Sequence, residues 1–479
     1  MNEFNLLTKP WIPVLWADGR WDEKQPPRVG IKQTLIEAGR IRQIAASNPM
    51  DRVAILRFLL ALLYWCKGNP PDNPNEILSD TFPSDWFSKL DDNKDCFNLL
   101  GAGTRFYQDR GAQRCRGVTD LIQEIPTGNN FWHFRHSTDK VDGLCPACCA
   151  MGLLRLPLFS VSGLPNLKAG INGTPPVYVV PWGMSLLETL LANWAPCRQL
   201  GVPAWVQPDI RPTPDEDVPL LTGLTLLSRR VWLHDPEPSG TCIGCGAEKT
   251  ALIRTCEFQT AGQQKNDRWN DPHVVYSDET PRKSPKAPDL TTAGRFKMDR
   301  PWPDLIARIV ETGKFGSGDK PTSLLVVGFA TDQAKNIDVW ERTITMPPGA
   351  SIQETAASLI LQWQKEGAGL IPSLVRNIKP PIEKAGSRKH VEIPPMVAAI
   401  RPHVENAVSA KAGDLIVGTG EAWEQAATEY RPMMEMIARS LSPGFTTAAV
   451  ERRQKIAGAI PDMRPKTKAV KESKKGGDK

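Results

Sequence analysis

The sequence predicts an α+β protein: a mixed α/β N-terminal domain, followed by a C-terminal helical bundle. Three observations support this fold class. Between residues 1 and 350 most apolar runs are short and bounded by proline and glycine, as in strands. One longer apolar run near the N-terminus has helical spacing, and after about residue 350 helix-period segments dominate. Because 479 residues exceed a single core, we expect domains at 1–350 and 351–463 and a basic, unfolded tail at 464–479.

The N-terminal elements follow from local patterns. "WIPVLWADGRW", residues 11–21, joins an apolar strand to a second aromatic strand start through an Asp18-Gly19 turn. "NPMDRVAILRFLLALLYWC", residues 48–66, predicts a helix with one apolar stripe. Residues 323–346, "SLLVVGFATDQAKNIDVWERTITM", predict two strands joined by a polar connection at about 331–336.

Three segments in the C-terminal part have helical periodicity, which predicts the bundle. They are "SIQETAASLILQWQK", "GEAWEQAATEYRPMMEMIARSL" and "TTAAVERRQKIAGAI". Pro432 lies inside the second segment and is expected to kink or divide that helix, because proline lacks the backbone N–H.

Composition excludes some classes of protein. The longest apolar run, Phe58 to Cys66, has nine residues, whereas a membrane helix needs about 20, so we expect it to be a buried core helix. No signal peptide precedes it, so we expect a cytoplasmic protein without membrane contact. The chain has 59 Lys and Arg against 53 Asp and Glu, a net charge of +6. This excess is too small to indicate nucleic-acid binding by itself.

Enzyme signatures are weak. "GKFGSGDKPTS" resembles a phosphate-binding loop, but Asp319 follows Gly318 where that motif requires lysine. His234 and Asp235 form a single dyad, and metal-dependent hydrolases need more ligands than that. The sequence therefore predicts no catalytic residues. A zinc-stabilised nuclease or transferase with an unrecognised active site stays as an alternative.

Two C-x-x-C pairs form the strongest local signal. They comprise Cys145 with Cys148 and Cys242 with Cys245, and 93 residues separate the pairs. Four thiolates suit a closed tetrahedral Zn²⁺ site, which is structural and not catalytic. A redox role would explain one pair but not two, and Cys149 could replace Cys148. The other five are expected to be buried apolar groups: Cys66, Cys96, Cys115, Cys197 and Cys256.

Several separated motifs occur together with these pairs. In chain order they are "FNLLTKPWIPV" (4–14), "GTRFYQD" (103–109), the two cysteine pairs around "NLKAGINGTP" (166–175), "RWNDPH" (268–273) and "GFATDQAK" (328–335). In order and spacing the chain resembles the CasA family, the large subunit of type I-E CRISPR Cascade. The resemblance covers most of residues 4–346. Beyond residue 350 it is limited to the helical character of the segments.

The resemblance implies a non-enzymatic subunit that assembles with guide RNA and the other Cascade subunits. Such a subunit senses the protospacer-adjacent motif (PAM) in double-stranded target DNA, helps open the duplex and recruits a helicase–nuclease. Protein then reads the PAM while base pairing reads the target. A scaffold that binds guide RNA and protein partners without reading DNA is a further alternative.

The resemblance also implies a wedge residue at a hairpin tip. Gln333 matches this position, with Asp332 and Ala334 beside it as further DNA contacts. An amide can unstack a base step and still hydrogen-bond to the freed base edges. Asp332 departs from the family, which has a neutral amide there, and a carboxylate is repelled by phosphates. From the residues alone, Gln333 is a polar turn residue.

Two further loops are implied as nucleic-acid contacts. The glycine-rich loop 162–175 approaches the PAM minor groove, with Asn166, Lys168 and Asn172 as contacts. The loop departs from the family by holding Pro165 and Asn166 where more glycine is expected, and Lys168 as a solvated lysine is the alternative. The aromatic loop 129–140 contributes Phe134, which can stack on unpaired bases or pack in the core.

Overall fold

The structure is a computed structural model in which helices, strands and loops are described for part of the chain. The described residues are 3–72, 77, 81–111, 113–123, 143–161, 168–173, 175–213, 216–261, 265–266, 268–276, 305, 308–310, 322–332, 335–348, 425, 428–429, 431–432, 435–436, 439 and 444–459. They contain both helices and antiparallel strands, as the predicted α+β class requires.

The chain divides into two compact units. The first contains Met1–Arg295 and Thr322–Thr345, and the second contains Phe296–Pro321 and Met346–Lys479. The domain limits at residues 350 and 463 stay predictions. Most of the predicted bundle and the whole basic tail lie outside the described residues.

Seven α-helices have both ends within the described residues. They are α1 (Ile31–Ile36), α2 (Pro49–Cys66), α3 (Ser88–Asp92), α4 (Pro146–Phe159), α5 (Leu186–Asn193), α6 (Leu220–Thr225) and α7 (Thr447–Ala459). Helix α7 belongs to the second unit and coincides with the third predicted C-terminal helix. No helix in the described residues is long and apolar enough to cross a membrane.

Thirteen strands lie in the same described residues. They are β1 (Phe4–Asn5), β2 (Ile12–Trp16), β3 (Arg28–Val29), β4 (Ile41–Ile44), β5 (Asn98–Leu100), β6 (Cys115–Gly117), β7 (Tyr178–Trp182), β8 (Arg229–Leu233), β9 (Glu237–Gly240), β10 (Thr250–Leu252), β11 (Thr255–Thr260), β12 (Thr322–Asp332) and β13 (Lys335–Met346). They form small sheets ordered β3-β2-β4, β6-β11-β8, β13-β12-β7, β1-β5 and β10-β9.

Helix α2 lies at the centre of the first unit. Asn48 caps its first turn by accepting a hydrogen bond from the Met50 backbone N–H, and Pro49 occupies the first helical position. Fifteen of its 18 residues are buried, on every face. The prediction of a buried core helix is therefore confirmed, and burial extends beyond the predicted stripe. Helices α4, α5 and α6 all pack against α2, so no face of this helix is left for solvent.

Two strand predictions meet different outcomes. Strand β2 forms as predicted, but no strand begins at Trp21, which is exposed, and the next strand begins only at Arg28. Instead β2 pairs with β3 and β4. The two strands predicted at 323–346 are confirmed as β12 and β13, which leave only residues 333 and 334 between them. Strand β12 also pairs antiparallel with β7, so this hairpin is tied to the core.

Candidate metal centre

The first cysteine pair lies at the start of helix α4. Cys145 is the residue before the helix and has extended backbone, and Pro146 fills the first helical position. Cys148 follows in the first turn of the helix, so both sulfurs lie at the same helix end. Leu144, just before the pair, forms an isolated antiparallel bridge with Ile253.

The second pair lies between β9 and β10, which form an antiparallel hairpin. The Gly246 N–H donates to the Cys242 carbonyl at 2.8 Å, and Gly246 has φ of +71°. A left-handed residue at this place is the usual end of a tight metal-binding turn, and glycine adopts it at little cost. At Gly244 a Cβ atom would lie 3.0 Å from the Cys148 sulfur. The helix and the hairpin tip therefore approach each other closely.

The structure brings the four predicted cysteines together. All four Sγ atoms lie within 4.8 Å of one another, and those of Cys145 and Cys245 are 3.8 Å apart. Tetrahedral Zn–S bonds of about 2.3 Å require sulfurs about 3.8 Å apart. Cys145, Cys148 and Cys242 are buried, while Cys245 is half-buried. The cluster therefore fits a metal ion that four thiolates surround completely.

The structure also shows where Cys149 and the five cysteines outside the cluster lie. Cys149 is fully buried with its sulfur directed at the Leu144 carbonyl, and Cys148 is the cluster member. All ten cysteines are free thiols. Among the remaining five, Cys256 is buried as predicted, three are half-buried and Cys115 is exposed. The prediction of burial is wrong for Cys115, because it lies in the short edge strand β6.

The pKa values of the clustered thiols are shifted in opposite directions. The pKa of Cys242 is lowered, because Cys145 and Cys148 donate hydrogen bonds to its sulfur. The pKa of Cys148 is raised by its hydrogen bonds with Cys145 and Cys242. Burial alone would lower the pKa of Arg28, but the hydrogen bond to Cys245 and the charge interactions with Cys245, Cys148 and Cys145 together outweigh burial, and the pKa is raised. A guanidinium is thus placed where a tetrathiolate metal site would carry net negative charge.

A buried charge network centres on Asp271, within "RWNDPH". Its side chain is fully buried and accepts hydrogen bonds from Arg57 of helix α2 at 2.6 and 3.0 Å. Burial alone would raise the pKa of Asp271, but the Arg57 charge and hydrogen bonds outweigh it and the pKa is lowered. His273 Nδ1 lies 2.9 Å from the Arg57 guanidinium, and Nε2 lies 3.1 Å from the Asn193 amide oxygen. These partners assign the neutral imidazole with its proton on Nε2.

The same carboxylate binds the glycine-rich loop. Asn172 donates from Nδ2 to Asp271 Oδ2 at 2.9 Å. The motifs "NLKAGINGTP" and "RWNDPH", 99 positions apart at these two residues, thus meet through one hydrogen bond. The amide of Asn172, predicted as a nucleic-acid contact, has an internal partner. Gly170 is also constrained, since a Cβ there would lie 2.8 Å from the Pro157 carbonyl oxygen.

Arg229 holds both ends of the segment 162–167. Its guanidinium donates to the carbonyls of Val161 at 2.9 Å and Lys168 at 2.6 Å. Arg229 is buried, and its pKa is lowered to about 10 by burial and by the nearby Arg116. The Lys168 side chain itself is exposed. The base of the loop is therefore fixed from inside, while its lysine is left accessible.

The structure does not test the remaining predicted nucleic-acid contacts. Phe134, Asn166, Gln333 and Ala334 lie outside the described residues, and Asp332 is the last residue of strand β12. Their roles stay predictions.

The network residues were missed at the sequence level, although a signal exists. Arg57 and Arg155 each interrupt an otherwise apolar helical run, and both are buried. Arg155 of α4 forms a two-pronged ion pair with Asp51 of α2 at 2.6 and 2.8 Å. A charge inside an apolar run requires a buried partner.

Solved structures share this fold. The crystal structure of CRISPR-associated protein Cse1 from Acidimicrobium ferrooxidans aligns with a TM-score of 0.68 and 18% identity, covering 97% of this chain and 100% of that one. A chain of a CRISPR RNA-guided surveillance complex aligns with a TM-score of 0.65 and 16% identity, covering 96% and 100%.

Sequence comparison gives the family. The CRISPR-associated protein CasA/Cse1 of Thermus thermophilus is 27% identical over 412 residues, which are 77% of each protein. Residues 5–455 match the family described as CRISPR-associated protein Cse1. This match spans nearly the whole chain, including the cysteine pairs, the Asp271 network and most of the second unit. The chain therefore belongs to the CRISPR-associated protein Cse1 family.

Proposed function

We propose that this chain is the large subunit of a cytoplasmic type I-E Cascade, where it recognises the PAM, helps open the duplex and recruits a helicase–nuclease without catalysing a reaction itself. The observation that carries the proposal is the family match over residues 5–455. The likeness in fold to a chain of an RNA-guided surveillance complex supports assembly with guide RNA and other subunits.

The architecture of the first unit supports loop-based recognition. Helix α4 begins at the cysteine cluster and ends next to the segment 162–167, whose ends Arg229 holds. Asp271 holds Asn172 in the same loop. Loops that read DNA bind better when a rigid scaffold presents them, because they lose less conformational entropy on binding. Exposed Lys168 is then available for a groove or a phosphate.

Zn²⁺ is the proposed occupant of the four-cysteine cluster. The donor set is four thiols, and tetrahedral Cys₄ coordination is typical of structural zinc. When bound, zinc would hold the start of α4 against the β9–β10 hairpin and leave no open position for chemistry. Arg28 would offset part of the negative charge of the tetrathiolate site.

A randomised PAM library tests the proposed function. Complexes assembled with and without this chain are incubated with the library, and bound DNA is sequenced. We expect enrichment of a short PAM only when the chain is present, since base pairing does not read that element. Equal binding without any PAM preference would favour the scaffold alternative. Metal-dependent cleavage by the purified chain, lost in His234→Ala or Asp235→Ala, would favour the nuclease alternative.

Gln333→Ala is expected to slow R-loop formation more on linear than on negatively supercoiled DNA. Supercoiling supplies part of the opening energy that the proposed wedge otherwise provides. Removing one unstacking contact worth about 1–3 kcal/mol predicts roughly 5- to 150-fold slower opening on linear DNA. Rates are measured by fluorescence of a base analogue beside the PAM.

Gln207→Ala is the matched control for this experiment. Gln207 is an exposed glutamine in a different loop of the same unit, so its variant should match wild type on both DNA forms. If Gln333→Ala opens linear DNA as fast as Gln207→Ala does, Gln333 is not the wedge.

A further inference from the structure

A second cluster of metal-ligating side chains lies on the three-stranded sheet β6-β11-β8. It consists of Cys115, His234 and Glu257, whose ligand atoms all lie within 4.8 Å of one another. We propose that this cluster binds one zinc ion, separate from the four-cysteine centre, with water completing the coordination.

Strand register explains why these residues meet. Glu257 of β11 is directly opposite both Cys115 of β6 and Trp232 of β8. Directly opposed residues have their side chains on the same face. His234 is two positions after Trp232, so it lies on that face as well. The other face carries the buried Cys256 and its apolar neighbours. The three ligand types are therefore collected on the accessible face of a sheet that has a well-packed reverse side.

The observed distances are close to those of a zinc site. His234 Nε2 and Glu257 Oε1 are 3.0 Å apart. Tetrahedral bonds of about 2.1 Å would place these atoms about 3.4 Å apart, and a thiolate would lie about 3.6 Å from the imidazole nitrogen. A rotamer adjustment of Cys115, which is exposed, brings its sulfur within that distance. Zinc would displace the thiol proton of Cys115, and His234 would coordinate through Nε2 as the neutral tautomer that carries its proton on Nδ1.

The second nitrogen of the histidine is already oriented. His234 Nδ1 lies 2.7 Å from the Thr255 hydroxyl oxygen, which can accept a hydrogen bond from it. Thr255 is two residues before Glu257 on β11 and therefore shares its face. Metal-bound histidines usually donate their remaining N–H to such a partner, and this fixes the tautomer and the ring plane. An ion pair between His234 and Glu257 would not require this arrangement.

The ligand set specifies the metal and its access. A thiol, an imidazole and a carboxylate together favour Zn²⁺ over the harder Mg²⁺ or Ca²⁺. Glu257 also lines an open cleft of about 430 Å³, which gives an ion a path from solvent. Arg105 and Arg110 line the same cleft, and their positive charge opposes a cation. We therefore expect weaker binding than at the buried four-cysteine centre.

Metal stoichiometry of the full-length chain tests the proposal. Zinc content is measured by mass spectrometry of the metal after dialysis at graded chelator concentrations, and Co²⁺ is titrated as a coloured substitute. We expect two ions per wild-type chain, with the second lost first as chelator increases. Cys115→Ser should bind one ion, and Glu257→Gln should weaken the second site by about tenfold or more.

Two further variants separate metal binding from a structural role. Thr255→Val keeps the shape of the side chain but removes the partner of His234 Nδ1, so second-site affinity should fall by about 10- to 100-fold. Cys197→Ser removes a half-buried thiol elsewhere and should retain two ions. A single ion in the wild type, or two ions in Cys115→Ser with unchanged affinity, would overturn the proposal.

Discussion

Cys242→Ser is expected to abolish metal binding at the four-cysteine centre and to loosen the two segments that meet there. Its sulfur accepts from the Cys145 backbone N–H at 3.2 Å and from neighbouring thiols, so it is central to the cluster. Amide hydrogen exchange is measured at Leu144 and Ile253, which bond to each other at 2.9 and 2.8 Å. We expect exchange there to be about 100-fold faster, equivalent to roughly 3 kcal/mol of local stability.

Cys149→Ser is the matched control, since Cys149 is buried beside the cluster without belonging to it. It should keep the metal and most of the protection at Leu144. Zinc chelation of the wild type should reproduce the effect of Cys242→Ser. Unchanged exchange after both treatments would mean that the cluster does not hold these segments.

The effect should be local, because the centre and the glycine-rich loop lie at opposite ends of helix α4. Fourteen residues separate those ends, which corresponds to about 21 Å. In the sequence the two cysteine pairs lie on either side of this loop. The structure shows two attachments of the loop that do not involve the cysteines, because Arg229 donates to the carbonyls of Val161 and Lys168, and Asn172 donates to Asp271.

The cysteine cluster could be predicted because its signal is local. Two cysteines at C-x-x-C spacing already provide half of a metal site. The second pair provides the other two ligands, and the reducing cytoplasm expected from the sequence favours metal binding over a disulfide. The strands β12 and β13 were predictable for the same reason, since alternation and a polar break lie within one continuous segment.

The Asp271 network could not be predicted in this way. Arg57 and Asp271 are 214 positions apart, and no local pattern identifies which carboxylate forms the ion pair with a buried arginine. The burial of α2 on every face, beyond the predicted stripe, is likewise not encoded locally. Periodicity describes one helix, whereas burial on every face depends on three other helices that arrive later in the chain.

Asp271→Asn is expected to cost about 3–5 kcal/mol of unfolding free energy, because Arg57 would become a buried charge without a charged partner. Arg57 is only 3% exposed and Asp271 is fully buried, so water cannot compensate. The measurement is urea denaturation of the full chain, followed by near-UV circular dichroism. Asp217→Asn is the control, since Asp217 forms an exposed ion pair with Arg268 and such pairs contribute about 0–1 kcal/mol.

The pH dependence gives a second test of the same ion pair. The folded-state pKa of Asp271 is lowered, so its contribution is fully present above the unfolded-state pKa of about 3.9. That contribution is lost as pH falls through the folded-state pKa. The difference between wild type and Asp271→Asn should therefore be constant from pH 7 to about pH 5 and shrink below about pH 4. A difference below about 1 kcal/mol at pH 7 would show that the buried pair does not hold α2 to the "RWNDPH" segment.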